Sequence, residues 1–319
     1  MSNLINILIS EQLLTYWILI FVVLIEKFIY LPDKYHPLTL LKLMAYGMAN
    51  KVVPSKPRQK RQQQIAGVLA PLILLVPVCT IIAVFTLLPQ FPLFFESMML
   101  LTALKFQYVI KQTKKVTQAL RSEKKILARQ MLAPLVLRET EKLSPMGMVK
   151  ANIESVLLRF CYQYCSVIFW YLIAGGVGAL IYRVLYELSH SWNVKQNRFK
   201  YFGVPTRKLI HILQLAPSFL ACCSLILAFN LRLGSAALMQ RKSYKNLSMF
   251  VLNISASTMG ISLGGPAFYN NQKVRMPNCG AQKKVTLADN QRVLIIINSA
   301  TWIVLMTSFM LCAFAYSTT

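Results

Sequence analysis

Of 319 residues, 56% are hydrophobic, 35 are Lys or Arg and only ten are Asp or Glu, giving a formal net charge of +25 and a mean hydropathy of +0.50. That balance excludes a disordered tail and a small disulfide scaffold, and it points to a polytopic membrane protein with cationic polar surfaces. The basic residues lie beside hydrophobic spans without a nucleic-acid module, which excludes nucleic acid as a partner and leaves membrane lipid.

Leu13 to Leu31 is about long enough to cross ~30 Å of hydrocarbon as a helix. No Lys or Arg precedes it and no small-residue cleavage site follows, so it reads as a retained anchor, not a signal peptide. Lys51, Lys56, Arg58, Lys60 and Arg61 come after it. The positive-inside bias then places the N-terminus in the periplasm and the 32–65 loop in the cytoplasm of a bacterial inner membrane. A second span runs from Ala66 to Leu88, where Pro71 and Pro77 are tolerated because bundle neighbours re-satisfy the freed carbonyls. Pro89-Gln90-Phe91-Pro92 makes an external turn, and Leu93 to Phe106 brings the chain back.

From Lys111 to Lys142 the sequence becomes basic and helix-forming. Val109, Val116, Leu120, Leu127 and Met131 give one apolar stripe, which reads as a cytosolic helix packed on the protein or one lying on the membrane surface. Pro134 ends it. Ser144-Pro145 then starts a helix, with Ser as cap and Pro in the first turn. Gly175-Gly176 divides the apolar run Cys165 to Leu188 into two pieces, each too short to span alone. Basic clusters flank both ends, and a broken or re-entrant pair of half-helices keeps both inside. Leu209 to Leu231 is a further apolar run with Pro217 inside it. Phe250 to Gly265 is too short and polar to span with conviction. A basic loop, 270–284, leads to the last span, Val293 to Tyr316, with Thr286 or Asp289 as cap. The expected fold is all-α: a single membrane domain over 1–319 with five or six embedded segments and a cytoplasmic basic helical insert at about 108–164.

The chemistry is sparse. Neither GxGxxG, GxxxxGK[ST], HExxH nor GxSxG occurs. The seven cysteines show no zinc-like spacing and read as small buried hydrophobes. His211, in an apolar run, reads as structural. Glu154 lies four residues after Lys150, at ion-pair spacing on a helix. No carboxylate pair has spacing that argues for a metal site or an acid/base pair, so no metal ligands are assigned. Gly264-Gly265-Pro266 either makes a tight turn, the default, or lets backbone approach a ligand.

In order along the chain, several elements resemble the adenosylcobinamide-phosphate synthase family of the CobD/CbiB type. They are Pro32-Asp33-Lys34-Tyr35-His36-Pro37, Arg138-Glu139-Thr140 with Leu143-Ser144-Pro145 and Glu154-Ser155-Val156, and Gly175-Gly176 with Tyr182-Arg183. Lys195 with Arg198-Phe199 and Phe202-Gly203, and Leu263-Gly264-Gly265-Pro266, continue the series. The resemblance implies an integral membrane protein that joins adenosylcobyric acid to an aminopropanol moiety as an amide. It implies catalytic Glu154, Thr140 and Glu139, and substrate-binding His36, Arg138, Lys195, Gly264 and Gly265. The implied ligand is a corrinoid or another phosphorylated small molecule, and ATP and Mg2+ enter only if the ligase activity is retained. Several acidic positions of the family pattern are lost: Leu158-Arg159 and Tyr162-Gln163 replace Glu-Asn and Asp-Gly, and Ile210-His211 replace an Asp pair. The related AmpE-type regulators therefore imply a second reading, a non-catalytic membrane sensor.

Overall fold

The computed structural model describes residues 11–28, 36–53, 59–87, 91–240, 244, 246–269 and 272–317. Five stretches are long and apolar enough to cross a membrane: Lys60–Val84, Pro92–Arg121, Pro145–Ser191, Val204–Phe229 and Asp289–Ser317. The chain is a multi-pass, helical membrane protein. The helix at the expected first span, Glu11–Phe28, is not among the five and carries Glu11, Glu26 and Lys27; the end of that span, Ile29 to Leu31, lies outside the described residues. The described residues fall into two compact units, one within 1–105, 167–214 and 308–319, the other within 106–166 and 215–307.

The first unit is built from α1 (Glu11–Phe28), α2 (Pro37–Val52), α3 (Lys60–Leu87), α4 (Pro92–Ala103), most of α8 (Ser166–Ser191) and the start of α9 (Val204–Phe229). Leu38, Leu41, Ala45 and Ala49 repeat at helical spacing on α2. They pack with Ala70 and Leu74 of α3, with Val184, Leu188 and Trp192, and with Phe199 and Phe202. Trp192 Nε1 donates to the Ala45 carbonyl at 3.1 Å, which ties α8 to α2. On its outer face α3 exposes Ile65, Leu69, Leu72, Ile73 and Val76, as a helix surrounded by lipid does. Cys79 also lies on exposed α3 surface, whereas Cys161, Cys165, Cys222 and Cys279 are buried.

The break expected at the glycine pair is present. Ala174 and Gly175 leave helical geometry inside α8, Gly175 with φ +61°. A β-carbon on Gly176 would stand 2.9 Å from the Glu96 carbonyl of α4, so a side chain there would push the two helices apart. Glu96 therefore lies against the break.

The second unit holds α5 (Gln107–Arg121), α6 (Lys125–Leu132), α7 (Pro145–Arg159), α10 (Leu231–Met239), α11 (Leu247–Met259), the hairpin β1 (Ser262–Tyr269) and β2 (Gln272–Gly280), and most of α12 (Asp289–Ser317). Phe106, Phe160 and Tyr164 form a ring cluster with centroids 5.3–5.8 Å apart. The single basic helix expected over 111–142 is two helices. The chain turns at Ser122 to Lys124, where Glu123 takes φ +57°, and this resets the helical phase. Val109 and Val116 of the expected stripe are buried on α5. On α6 the buried residues are Ala128 and Leu132, while Leu127 is 40% exposed.

Ser144 caps α7, its Oγ accepting from Gly147 N at 3.1 Å, with Pro145 in the first turn. Asp289 Oδ2 accepts from Thr286 N at 2.8 Å, half of a capping box before α12.

A two-stranded antiparallel sheet occupies 262–280, where the apolar pattern gave only a short segment and a basic loop. Gly264-Gly265 is not a tight turn but lies within β1 opposite a bulge on β2: between Leu263, opposite Cys279, and Gly265, opposite Met276, the one residue Gly264 faces two of β2, Pro277 and Asn278. Gly264 and Gly265 take φ +81° and +104°, which L side chains adopt only under strain. Gly260, at φ +69°, ends α11 in the left-handed cap that frees the chain to enter β1.

Candidate functional site

In the second unit three segments meet at one carboxylate: the loop at 136–144, helix α7 and strand β1. Glu154, on α7, is 3% exposed. Its Oε2 accepts a charge-assisted bond from Arg138 Nη2, and its Oε1 accepts from the Gly264 amide at 2.7 Å. A carboxylate buried this way is favourable only when paired and hydrogen-bonded, and Glu154 is both. The ion pair expected with Lys150 is replaced by this longer-range one. Arg138 reaches the carboxylate because its loop is pinned to β1, Glu139 N donating to the Phe268 carbonyl at 2.9 Å. Ser155 Oγ on α7 also donates to Leu135 O at 2.7 Å, holding the loop's start.

The bulge makes this geometry possible. A β-carbon on Gly264 would meet the Pro277 carbonyl, so only glycine lets the strand turn its amide toward Glu154 at this spacing. A β-carbon on Gly265 would stand 3.8 Å from Lys150 Nζ and 3.5 Å from Asn278 Oδ1. Lys150 thus holds an ammonium beside the glycine pair, and it has no hydrogen-bond or ion-pair partner among the described residues. Sequence spacing marks Lys150 only as an i,i+4 partner for Glu154; the fold of β1 against α7 is what places it beside Gly265.

Glu139 pairs with Lys142 at 3.1 Å, and Lys142 lies 5.0 Å from the Phe268 ring centre, so the Glu139 carboxylate points along its own loop. Thr140 is half-buried, and its carbonyl accepts from Leu143 N. Arg138, Glu154, Gly264 and Gly265 are therefore brought together, with Glu139 and Thr140 on the loop that delivers Arg138. His36 and Lys195 belong to the first unit. His36 is buried and its Nδ1 accepts from Leu38 N at 3.2 Å, capping α2; Lys195 is exposed, its amide held by Asn193 Oδ1. Pro32 to Tyr35 lie outside the described residues. His211 accepts from Arg207 Nε at 3.4 Å, in keeping with a structural histidine.

Beside Leu158 and Tyr162, which stand where the resemblance expects acids, lie a cation, Arg159, and an amide, Gln163. Arg159 donates to Ser155 Oγ at 3.3 Å and to the Leu135 carbonyl at 3.2 Å, on the side of α7 that faces the loop. Gln163 is buried. The residues present do not fit Mg2+. Glu154 is the one buried carboxylate of this site, both its oxygens are engaged, and no group of three His, Cys, Asp or Glu lies close enough to hold an ion among the described residues. What the arrangement offers is anion recognition: a guanidinium oriented by Glu154, and an ammonium beside a glycine pair where ligand atoms can approach backbone.

A family model described as CobD/Cbib protein matches residues 19–297. A protein of Chromobacterium violaceum named cobalamin biosynthesis protein CobD is 25% identical over 284 residues, 88% of this chain and 91% of its own length. Proteins of the same name from Stutzerimonas stutzeri and Streptococcus sanguinis are 25% identical over 251 residues and 26% identical over 199. Those matches cover 78% and 59% of this chain, and 82% and 63% of the relatives. No solved structure matches.

Proposed function

This chain belongs to the CobD/CbiB family, and we propose that it works in late cobalamin assembly, in a bacterial inner membrane with its N-terminus periplasmic. Its substrate is adenosylcobyric acid, and its activity joins that acid to an aminopropanol moiety as an amide, as the family resemblance implies. The observation that carries the proposal is the Glu154 junction. Arg138 and Gly264, which the resemblance marks as substrate-binding, meet at Glu154, one of the two carboxylates it marks as catalytic.

Within that reading Glu154 acts as an organiser. Its charge keeps Arg138 extended from the loop and fixes the Gly264 amide, so Lys150 and Arg138 present positive charge to an incoming carboxylate or phosphate. Amide formation from a free acid requires activation, which ATP and Mg2+ supply in the reaction the resemblance implies. The donor set around Glu154 does not fit Mg2+. The test is complementation: a synthase-deficient strain given this gene grows on cobyric acid, and the Glu154→Gln variant does not. Absence of growth despite verified membrane expression contradicts the synthase reading.

One observation favours a second reading, a non-catalytic AmpE-like membrane sensor or regulatory protein on the same scaffold. Arg159 occupies an expected Asn position beside Leu158, which replaces an acid, and its guanidinium is already bonded to the loop. No bound corrinoid after incubation with cobyric acid, together with no growth in the complementation assay, is the outcome that reading predicts.

A further inference from the structure

The first unit contains a separate group of charges that the Glu154 site does not use. Arg183 and Glu187, one turn apart on α8, are 1% and 2% exposed. Arg183 Nη2 donates to Glu187 Oε1 at 2.7 Å, and Lys42 Nζ of α2 lies 3.2 Å from Glu187 Oε2. Two cations therefore share one carboxylate, leaving one positive charge in excess on a group whose arginine and glutamate are buried. The Arg183 guanidinium also lies 5.4 Å from the Tyr186 ring centre, and Tyr186 stacks on His190.

Packing does not explain the second cation. The Trp192 bond to the Ala45 carbonyl already fixes α8 on α2, and Lys42 alone neutralises Glu187. Yet Arg183 brings two more donor nitrogens, Nε and Nη1, both buried and without an acceptor among the described residues. Buried guanidinium donors left unserved are unfavourable, and the surplus charge adds to the penalty. The Lys42 side chain is 36% exposed, which gives the group an approach from outside.

We infer that Arg183 and Lys42 form a binding site for a phosphate group, which supplies the missing acceptors and cancels the excess charge. The phosphate belongs to a lipid headgroup or to a free phosphorylated solute. This site stands independently of the Glu154 reading, so a failed complementation leaves it untouched.

The experiment uses the full chain and inorganic phosphate. In detergent, thermal unfolding of the wild-type protein shifts upward and saturates with phosphate. Lys42→Gln weakens that response about tenfold, the scale of one charge-assisted bond, and the double variant Arg183→Gln/Glu187→Gln, which strands no carboxylate, abolishes it. Lys42→Gln alters a partly exposed side chain and keeps the test readable if the double variant does not fold. The same titration in nanodiscs separates the sources. A headgroup occupant makes phosphatidylglycerol stabilise the wild type over phosphatidylcholine and suppresses the phosphate response, whereas a solute occupant leaves the response equal in both lipids. No phosphate or phosphatidylglycerol response in the wild type, or an equal one in Lys42→Gln, overturns the assignment.

Discussion

Two buried carboxylates in this protein are held in opposite ways. Glu154 has one cation, Arg138, and one backbone amide, from Gly264, so its charge is matched and both oxygens are served. Glu187 has two cations, Arg183 and Lys42, and one of them keeps two donor nitrogens unserved. The first arrangement is closed and holds three chain segments in register. The second leaves two guanidinium nitrogens without an acceptor among the described residues. The difference teaches that in a chain with ten acids and 35 basic residues, a carboxylate is as informative for the cations it leaves over as for those it neutralises.

Substitutions can break that contrast, and their effects should fall in a definite order. Arg138→Ala strands Glu154 with a single amide in a buried position and is expected to destabilise the protein by about 3–5 kcal/mol, read by thermal unfolding in detergent. Gly264→Ala follows. It puts a β-carbon on the Pro277 carbonyl at φ +81° and is expected to cost about 2–3 kcal/mol while displacing the amide from Glu154. Arg183→Met leaves Glu187 with Lys42 and removes the two unserved donors, so its cost is expected to be smaller, about 1–2 kcal/mol. A loss equal to that of Arg138→Ala would erase the distinction between the two carboxylates. Lys142→Ala removes a pair with 45% and 28% exposed side chains, and less than about 1 kcal/mol is expected.

The apolar spans after residue 60 and the α7 cap at Ser144-Pro145 were legible in the sequence, because hydrocarbon-length runs and cap residues act locally. So was the break at Gly175. The hairpin was not: its strands carry Gly, Pro, Lys and Arg without the alternation that marks a half-buried strand, and the bulge shifts the pairing partway along. The division of the basic helix at Glu123 was hidden for a related reason, since a three-residue turn leaves the composition unchanged and alters only the phase. At the site, collinear resemblance pointed to Arg138, Glu154 and Gly264 as separate pieces. Their meeting depends on contacts of 16 and 110 residues in sequence separation, which no local pattern encodes. Local spacing instead favoured Lys150 as the partner of Glu154, and tertiary structure placed that lysine beside Gly265.

Under the proposed function, the Glu154 junction holds a corrinoid acid. Purified protein incubated with adenosylcobyric acid and passed through size exclusion tests it most directly. The account predicts visible corrinoid absorbance co-eluting with the wild-type protein and lost in Arg138→Lys, a variant that keeps a cation for Glu154 but loses the forked guanidinium. A wild-type protein that elutes colourless, with full membrane-protein folding verified, would contradict it.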